Sequence, residues 1–360
     1  MSEENLRPPA GLRLESATVR DVAAHAGVSI ATVSRVLNGR KHVSDDTRRR
    51  VEEAVERLNH LTVRPRAAAS RRTDGAVFVR CPYELTDYFG PIVSSVAETL
   101  RLHEREMVLD AGNAGYHDDI LRRLPGRRDL AGAILILPPE GLESLALLRD
   151  AGVPFVVIDP RVRVPRDVLS VSAANFSGAL QATTHLTELG HRRIGVISVA
   201  PALAAGDDRL AGHASALAQV GEVVDRGLIR YGEPIIETGA RFGAELLDLP
   251  DRPTAIVCFN DKVAVGVLHA ARERGIAVPD DLSVVGFDDI DISRSTSPQL
   301  TTVRQPLQEM GRIAVTSLMR TLNGHAAQAL HIDLATELIV RGSTSRIKAL
   351  SVATRRQASP

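Results

Sequence analysis

From about residue 75 onward, seven short apolar runs alternate with longer stretches of helical spacing, and this alternation restricts the fold more than any other feature. The runs are AVFVR, MVLDA, GAILIL, PFVVID, IGVIS, TAIVCF and SVVGF. Between them lie patterns such as PIVSSVAETLRLHER and DKVAVGVLHAARERG. Strand-length runs separated by helices predict an α/β chain with doubly wound parallel sheets. Roughly 265 residues of this pattern suit two similar lobes better than one. Ligands of such sheets sit beyond the carboxyl ends of the strands, so the loops after these runs are the candidate pocket.

Composition narrows the chemistry. An apolar fraction of 44% and a charged fraction of 24% are those of a globular chain with a buried core. No apolar run reaches the 18 or so residues of a membrane span. The stretch MSEENLRPPAGLRLES has no apolar segment of a secretory signal, so a cytoplasmic protein is expected. Cys81 and Cys258 sit in separate apolar runs and read as buried free thiols. There is no C-x-x-C, no H-E-x-x-H and no Cys/His cluster, which argues against a metal site. The lysines are Lys41, Lys262 and Lys348, and none follows a glycine, which excludes a Walker A loop. No two glycines stand two apart, so G-x-G-x-x-G is excluded too, and no cofactor is expected.

Charge is balanced over the whole chain but not along it. Between Ser16 and Thr73, twelve Arg and Lys face six acids, and the remainder carries the opposite excess. A basic head on an acidic body suggests a polyanion-binding module joined to something else. Within the head, Val19, Val22, Ala23 and Ala26 define one face of a first helix, and Gly27 follows where a left-handed terminus belongs. Ser29 caps a second helix with Val33, Val36 and Leu37 inward. Ser44 caps a third, with Val51, Ala54, Val55 and Leu58 completing the core. Helix, tight glycine turn, helix and supporting helix form a helix-turn-helix layout. On the second helix the outward residues are Ile30, Ala31, Thr32, Ser34, Arg35 and Asn38. Arg35 suits a bidentate contact to guanine, and Ile30 and Ala31 suit thymine methyls. A solvated helix in a plain three-helix bundle has the same pattern.

The stretch from Thr18 to Asn59, and DVAAHAGVSIATVSRVLNG within it above all, resembles the DNA-binding head of the lactose-repressor (LacI) family. The resemblance assigns base reading to Ile30, Ala31, Ser34 and Arg35. It places Thr18, Ser29, Thr32, Asn38 and His42 where the family makes phosphate or supporting contacts. It continues through HLTELGHRRIGVIS, DRLAGHASAL, PTAIVCFNDKVAVG, VPDDLSVVGFDDI and PQLTTVRQPLQEMG, to about Thr344. What it implies is a periplasmic-binding-protein-like body that dimerises and binds an effector between its lobes. The expected function is a repressor of transcription on a near-palindromic operator in double-stranded DNA, controlled by a sugar or sugar derivative. The expected divisions are a head at 17–60, a hinge at 61–74, an effector-binding and dimerisation body at 75–344 and a disordered tail at 345–360.

Carried over residue by residue, the resemblance points Arg209 at effector hydroxyls or carboxylates, which its planar fork suits. Asn260 and Asp261 follow the TAIVCF run, Asp288 follows SVVGF and Asp159 follows PFVVI, each as an acceptor. Tyr88 and Phe89 follow the first run as a possible wall. Arg209 and Asp261 are expected to face one another across the cleft. For each acid the alternative is a helix cap or a loop hydrogen bond, and for the two aromatics it is packing at the lobe edge.

The sequence departs from the family in the hinge, where LTVRPRAAASRRTDG has no leucine after Pro65 and Arg71 or Arg72 stands near that position. A minor-groove arginine is physically reasonable there. The pair before one body helix reads Ala174-Asn175, there is no tryptophan to stack on a sugar, and SVATRRQASP has no heptads for a tetramer-forming coiled coil. A periplasmic transport protein would carry a signal peptide and no basic head. An enzyme built on Asp288, Asp289 and Asp291 lacks a visible nucleophile and base.

Overall fold

In the computed structural model, the residues described are 19–37, 43–61, 73–112, 120–201, 203–325 and 330–347. The chain divides into two compact units, at residues 70 and 71. The expected tail beyond 347, and Thr18, Asn38, His42, Arg71 and Arg72, lie outside the described residues.

The first unit holds α1 (Val19–Ala26), α2 (Ile30–Leu37) and α3 (Asp45–Leu61). Gly27 ends α1 at φ 63°, and the Val28 amide donates to the Ala23 carbonyl at 3.1 Å, the six-to-one bond of a Schellman stop. Arg50 reaches across from α3 to donate to the Ala26 carbonyl at 2.6 Å. Ser29 Oγ accepts from the Thr32 amide at 3.2 Å and Ser44 Oγ from the Thr47 amide at 3.4 Å, so each of these helices begins on a serine cap. Val22, Ala23, Ala26, Val33, Val36, Val51 and Ala54 form the small core.

In the second unit the chain order is β1 (Ala76–Cys81), α4 (Phe89–Leu102), β2 (Met107–Ala111), α5 (Ile120–Arg123), β3 (Leu130–Ile136), α6 (Leu142–Asp150), β4 (Phe155–Ile158), β5 (Ser170–Ala173) and α7 (Asn175–Glu188). It continues through β6 (Ile194–Ser198), α8 (Ala204–Gln219), β7 (Ile229–Tyr231), α9 (Ile236–Leu247), β8 (Ala255–Cys258), α10 (Asp261–Glu273), β9 (Ser283–Val285) and α11 (Ile292–Ser295). Last come β10 (Thr302–Arg304), α12 (Leu307–Leu322), β11 (His331–Leu334) and β12 (Glu337–Ile339).

All pairings in the first lobe are parallel, in the order β11-β5-β4-β3-β1-β2. The second lobe is a parallel sheet in the order β7-β6-β8-β9. In each, the first strand lies between the second and the third, which creates a crevice where the winding reverses. In the first lobe, Val77, Val79 and Cys81 pack under α4 and α12, while Phe78 and Leu135 face the α5–α6 side. Both cysteines are buried and free, and burial pushes the Cys81 thiol up to about 12. The chain crosses between lobes at Ala174, after β10 and after β11, and antiparallel β10 and β12 form a strap at these crossings.

Two helix pairs in the second lobe approach so closely that only glycine fits. A β-carbon on Gly266 of α10 would fall inside contact distance of the Ile236 carbonyl of α9, and one on Gly212 of α8 would do the same to the Phe176 carbonyl of α7. Neither neighbour is a flexible side chain. Gly266→Ala is expected to cost about 1–3 kcal/mol through overpacking, measured by thermal melting; an unchanged melting temperature would mean that the helices separate freely.

The body runs past its expected end. His191 Nε2 lies 3.0 Å from the Ser345 carbonyl, and the Ile347 amide donates to the Leu189 carbonyl at 3.0 Å. Residues 345–347 therefore belong to the second lobe and not to a disordered tail, because their backbone groups find partners there.

Candidate functional site

The head presents a short reading surface. With Val33 and Val36 turned into the core, α2 leaves Ile30 half exposed at 50% and Ser34 and Arg35 exposed, while Thr32 is partly covered and hydrogen-bonds to Ser29. Ala31 lies on the same helix. An aliphatic side chain and a guanidinium, both exposed on one short helix, match what base edges in a major groove offer.

In the body, segments that follow strands of both lobes meet at the cleft. Tyr88 caps the start of α4 after β1, Asp159 follows β4, Arg209 stands in the second turn of α8, and Asp288 follows β9. Tyr88 donates its hydroxyl to Asp159 Oδ2 within the first lobe. Arg209 Nε donates to Asn175 Oδ1 at 2.8 Å and Nη1 to the Phe259 carbonyl. Its guanidinium lies over the rings of Phe259 and Phe287, 4.3 and 3.6 Å from their centroids. Asp288 Oδ1 accepts from Gln305 Nε2 at 2.6 Å. Two ion pairs join the lobes, Arg163 to Asp208 at 2.5 Å and Lys262 to Asp87 at 4.0 Å.

These four groups share one field. Burial pushes Tyr88 well above the usual tyrosine range, and the neighbouring Asp159 and Asp288 push it the same way. Burial also raises Asp159, against the Tyr88 hydrogen bond and the pull of Arg209. Asp288 is pushed up to about 7 by burial, opposed by Arg209 and by the Gln305 hydrogen bond. Burial lowers Arg209, and Asp288, Tyr88 and Asp159 hold it up. Strongly perturbed groups converging on a cleft from both lobes make it the candidate ligand site.

Three residues expected at the pocket are engaged otherwise. Asp261 is fully buried: Oδ1 accepts from the Thr302 hydroxyl and Oδ2 from the Ile290 amide at 3.0 Å. It does not face Arg209 across the cleft, because both oxygens tie the loop that carries Asp288 to α10 and β10. Asn260 caps α10, its Oδ1 accepting from the Val263 amide at 2.9 Å while Nδ2 donates to the Pro234 carbonyl at 3.2 Å. Phe89 stacks on Tyr83 at 4.6 Å and meets Tyr88 edge-on at 5.1 Å, so it braces the wall from behind. Conversely, Asn175, Phe259, Phe287 and Gln305 reach the site without having been expected there. The two phenylalanines do end strand runs, the position that should have singled them out.

With this geometry established, two family models match the chain. Residues 18–62 match that of bacterial regulatory proteins, lacI family, and residues 183–344 that of a periplasmic binding protein-like domain. The HTH-type transcriptional repressor CytR of Escherichia coli (strain K12) is 32% identical over 330 residues, covering 91% of this chain and 96% of the relative. A solved complex of the transcriptional regulator CelR with cellobiose superimposes with a TM-score of 0.69 at 33% identity, over 91% of this chain and all of that one. The lac repressor dimer bound to operator and the anti-inducer ONPF gives a TM-score of 0.66 at 26% identity, over 92% of this chain and all of that one. Similarity of this degree along nearly the whole chain, with both folds in place, means that the protein belongs to the lacI family of bacterial regulatory proteins and is a DNA-binding transcription regulator, not an enzyme.

Proposed function

We propose that the protein is a cytoplasmic homodimeric repressor that binds a near-palindromic operator and whose operator affinity is set by a sugar or sugar derivative held in the body's cleft. The observation that carries this reading is the convergence of Tyr88, Asp159, Arg209 and Asp288 from both lobes on one partly buried cleft. Planar and carboxylate groups so placed suit a hydroxyl-rich ligand. Asn260, Asp261 and Phe89 support that set without touching the effector. The CelR relative, solved with cellobiose, supports a sugar as the ligand class.

On the head, Ile30, Ala31, Ser34 and Arg35 read bases, and Ser29 and Thr32, with Thr18, Asn38 and His42, position the helix on phosphates. Arg71 and Arg72 belong to the hinge at 61–74, between a head at 17–60 and the body, and reach the minor groove. One reading helix per chain and a two-fold dimer require half-sites about one helical turn apart.

Selecting operators from a random pool, then titrating the best duplex by fluorescence anisotropy with and without a panel of sugars, tests the proposal. A ligand that shifts operator affinity supports it; an asymmetric site bound by a monomer overturns it. In the same assay Arg35→Ala is expected to cost about 1–3 kcal/mol and to relax preference at one position of each half-site. An unchanged selected motif would remove Arg35 from the reading set.

A further inference from the structure

The groups already satisfied inside the cleft differ in kind from those left over. Arg209 has two of its five N–H donors committed within the protein. Nε is taken by Asn175 and Nη1 by the Phe259 carbonyl, and only Nη2 has no acceptor among the described residues. A guanidinium grips a carboxylate or phosphate bidentately with two nitrogens of one edge. Here each such edge has one nitrogen already engaged.

Beside the free nitrogen of that one cation stand several acceptors with unspent capacity. Asp288 has one oxygen on Gln305 and the other without a donor among the described residues. Asp159 is 8% exposed, with Tyr88 on one oxygen and the Ala173 backbone also lending it a hydrogen bond. Gln305 is 4% exposed, and its Oε1 is buried with no hydrogen-bond partner among the described residues. With Asp288 ionised, only the NH₂ end of that amide can donate to it, and the oxygen then faces the other way. A buried acceptor without a donor is costly, and a ligand donor would remove that cost. The charge balance points the same way. Asp333 adds negative potential at Asp159, and Lys262 at the rim already faces Asp87.

We infer that the cleft selects its effector by charge: the ligand brings hydrogen-bond donors, hydroxyls or an amine, and carries no phosphate or carboxylate group. This rests on the reading of the cleft as the effector site. It narrows the class, because sugars and nucleosides reach a cell in neutral, amino, phosphorylated and oxidised forms. Asp288 is pushed up to about 7 by burial even though Arg209 and Lys262 both pull it down, and Lys262 is already shared with Asp87.

The test uses the full chain and matched ligands: glucose, glucosamine, cellobiose and cytidine against glucose 6-phosphate, gluconate, cellobionate and cytidine monophosphate. Each is screened by thermal shift at up to about 10 mM, and the binders are measured by calorimetry. The tightest ligand is expected among the neutral or amine-bearing compounds, with its anionic counterpart at least about tenfold weaker. Asp288→Asn, a residue that tolerates the left-handed backbone there, should narrow that ratio by about tenfold. Asp159→Asn supplies the same readout independently if the first variant does not fold. An anionic ligand that binds as tightly as its neutral partner, or a ratio unmoved in a folded variant, overturns the inference and leaves the effector reading intact. No binding by any compound of either set overturns the effector reading, and this inference with it.

Discussion

Arg209→Ala is expected to weaken effector affinity about 5- to 150-fold while leaving operator binding without effector unchanged. Leaving a buried polar ligand group unpaired costs about 1–3 kcal/mol, which sets that range. The substitution removes more than one ligand contact. Asn175 Oδ1 and the Phe259 carbonyl lose their donor, two rings lose the cation lying over them, and Asp159 and Asp288 lose their counter-charge. Both acids then rise further, because burial is no longer opposed by Arg209, although Lys262 still lowers Asp288. A modest fall in melting temperature should therefore accompany the loss of affinity. Titration calorimetry with the ligand found by screening, alongside anisotropy on the operator, separates the two effects. Wild-type affinity in Arg209→Ala would place the ligand elsewhere, and loss of effector-free operator binding would give Arg209 a structural role.

Asp261→Ala, by contrast, acts on the effector indirectly, through the loop that carries Asp288 and through the charge it presents to Arg209. Its carboxylate holds the Ile290 amide and the Thr302 hydroxyl, and a β-carbon on Gly286 would run into its Oδ1. That crowding explains why the sequence misled here. An aspartate directly after a strand run has the signature of a pocket acceptor, whether its side chain turns outward or inward. The direction is decided by how β8, β9 and the start of β10 lie side by side, and those pairings join residues far apart in sequence. Asn260 was more legible, because an asparagine ahead of an apolar helix is also a cap signal.

The same physics separates the strands that could be read from those that could not. Each of the seven apolar runs lies at a strand of the two sheets, because interior strands are buried on both faces and need continuous apolar sequence, while the edge strand β2 is only partly covered. The unread strands, β5 (SVSA), β7 (IRY), β10 (TVR), β11 (HIDL) and β12 (ELI), are three or four residues long and mixed in polarity. Strands this short have no periodicity to detect. β11 is placed only by pairing with β5, from His331↔Ser170 to Leu334↔Ala173, which no local pattern encodes. Gln305 was missed for the same reason, since it enters the site only because β10 crosses between the lobes. The head was read more completely, because caps, a glycine stop and a helical stripe are all local signals.

Asp289 carries the other large effect, because one inaccessible carboxylate holds three arginines. Its Oδ1 accepts from Arg341 Nη2 at 2.5 Å and from Ser293 Oγ at 3.1 Å, and Oδ2 accepts from Arg304 Nε at 2.8 Å, with Arg294 at 3.6 Å. Arg304 goes on to Glu337, so the carboxylate ties the turn at Asp288 and Asp289, both at positive φ (116° and 56°), to the β10–β12 strap. Removing one partner of a buried ion pair costs about 3–5 kcal/mol. Arg304 and Arg294 are 46% and 54% exposed and can turn to water, whereas Arg341 at 12% cannot. Asp289→Ala is therefore expected to cost about 2–4 kcal/mol, and adding Arg341→Met should recover part of it by removing the stranded charge. The pH dependence has a definite sign. Burial acts to raise Asp289, but the hydrogen bonds from Arg341 and Arg304 outweigh it and leave the group below the ordinary aspartate value. Its contribution is thus fully present above about pH 4 and is lost as pH falls through the depressed folded value. Thermal melts of wild type and Asp289→Ala should keep a constant separation from about pH 7 to pH 5 and converge below about pH 4. A difference of less than about 1 kcal/mol at neutral pH would mean that the arginines find water at little cost and that the strap does not depend on this carboxylate.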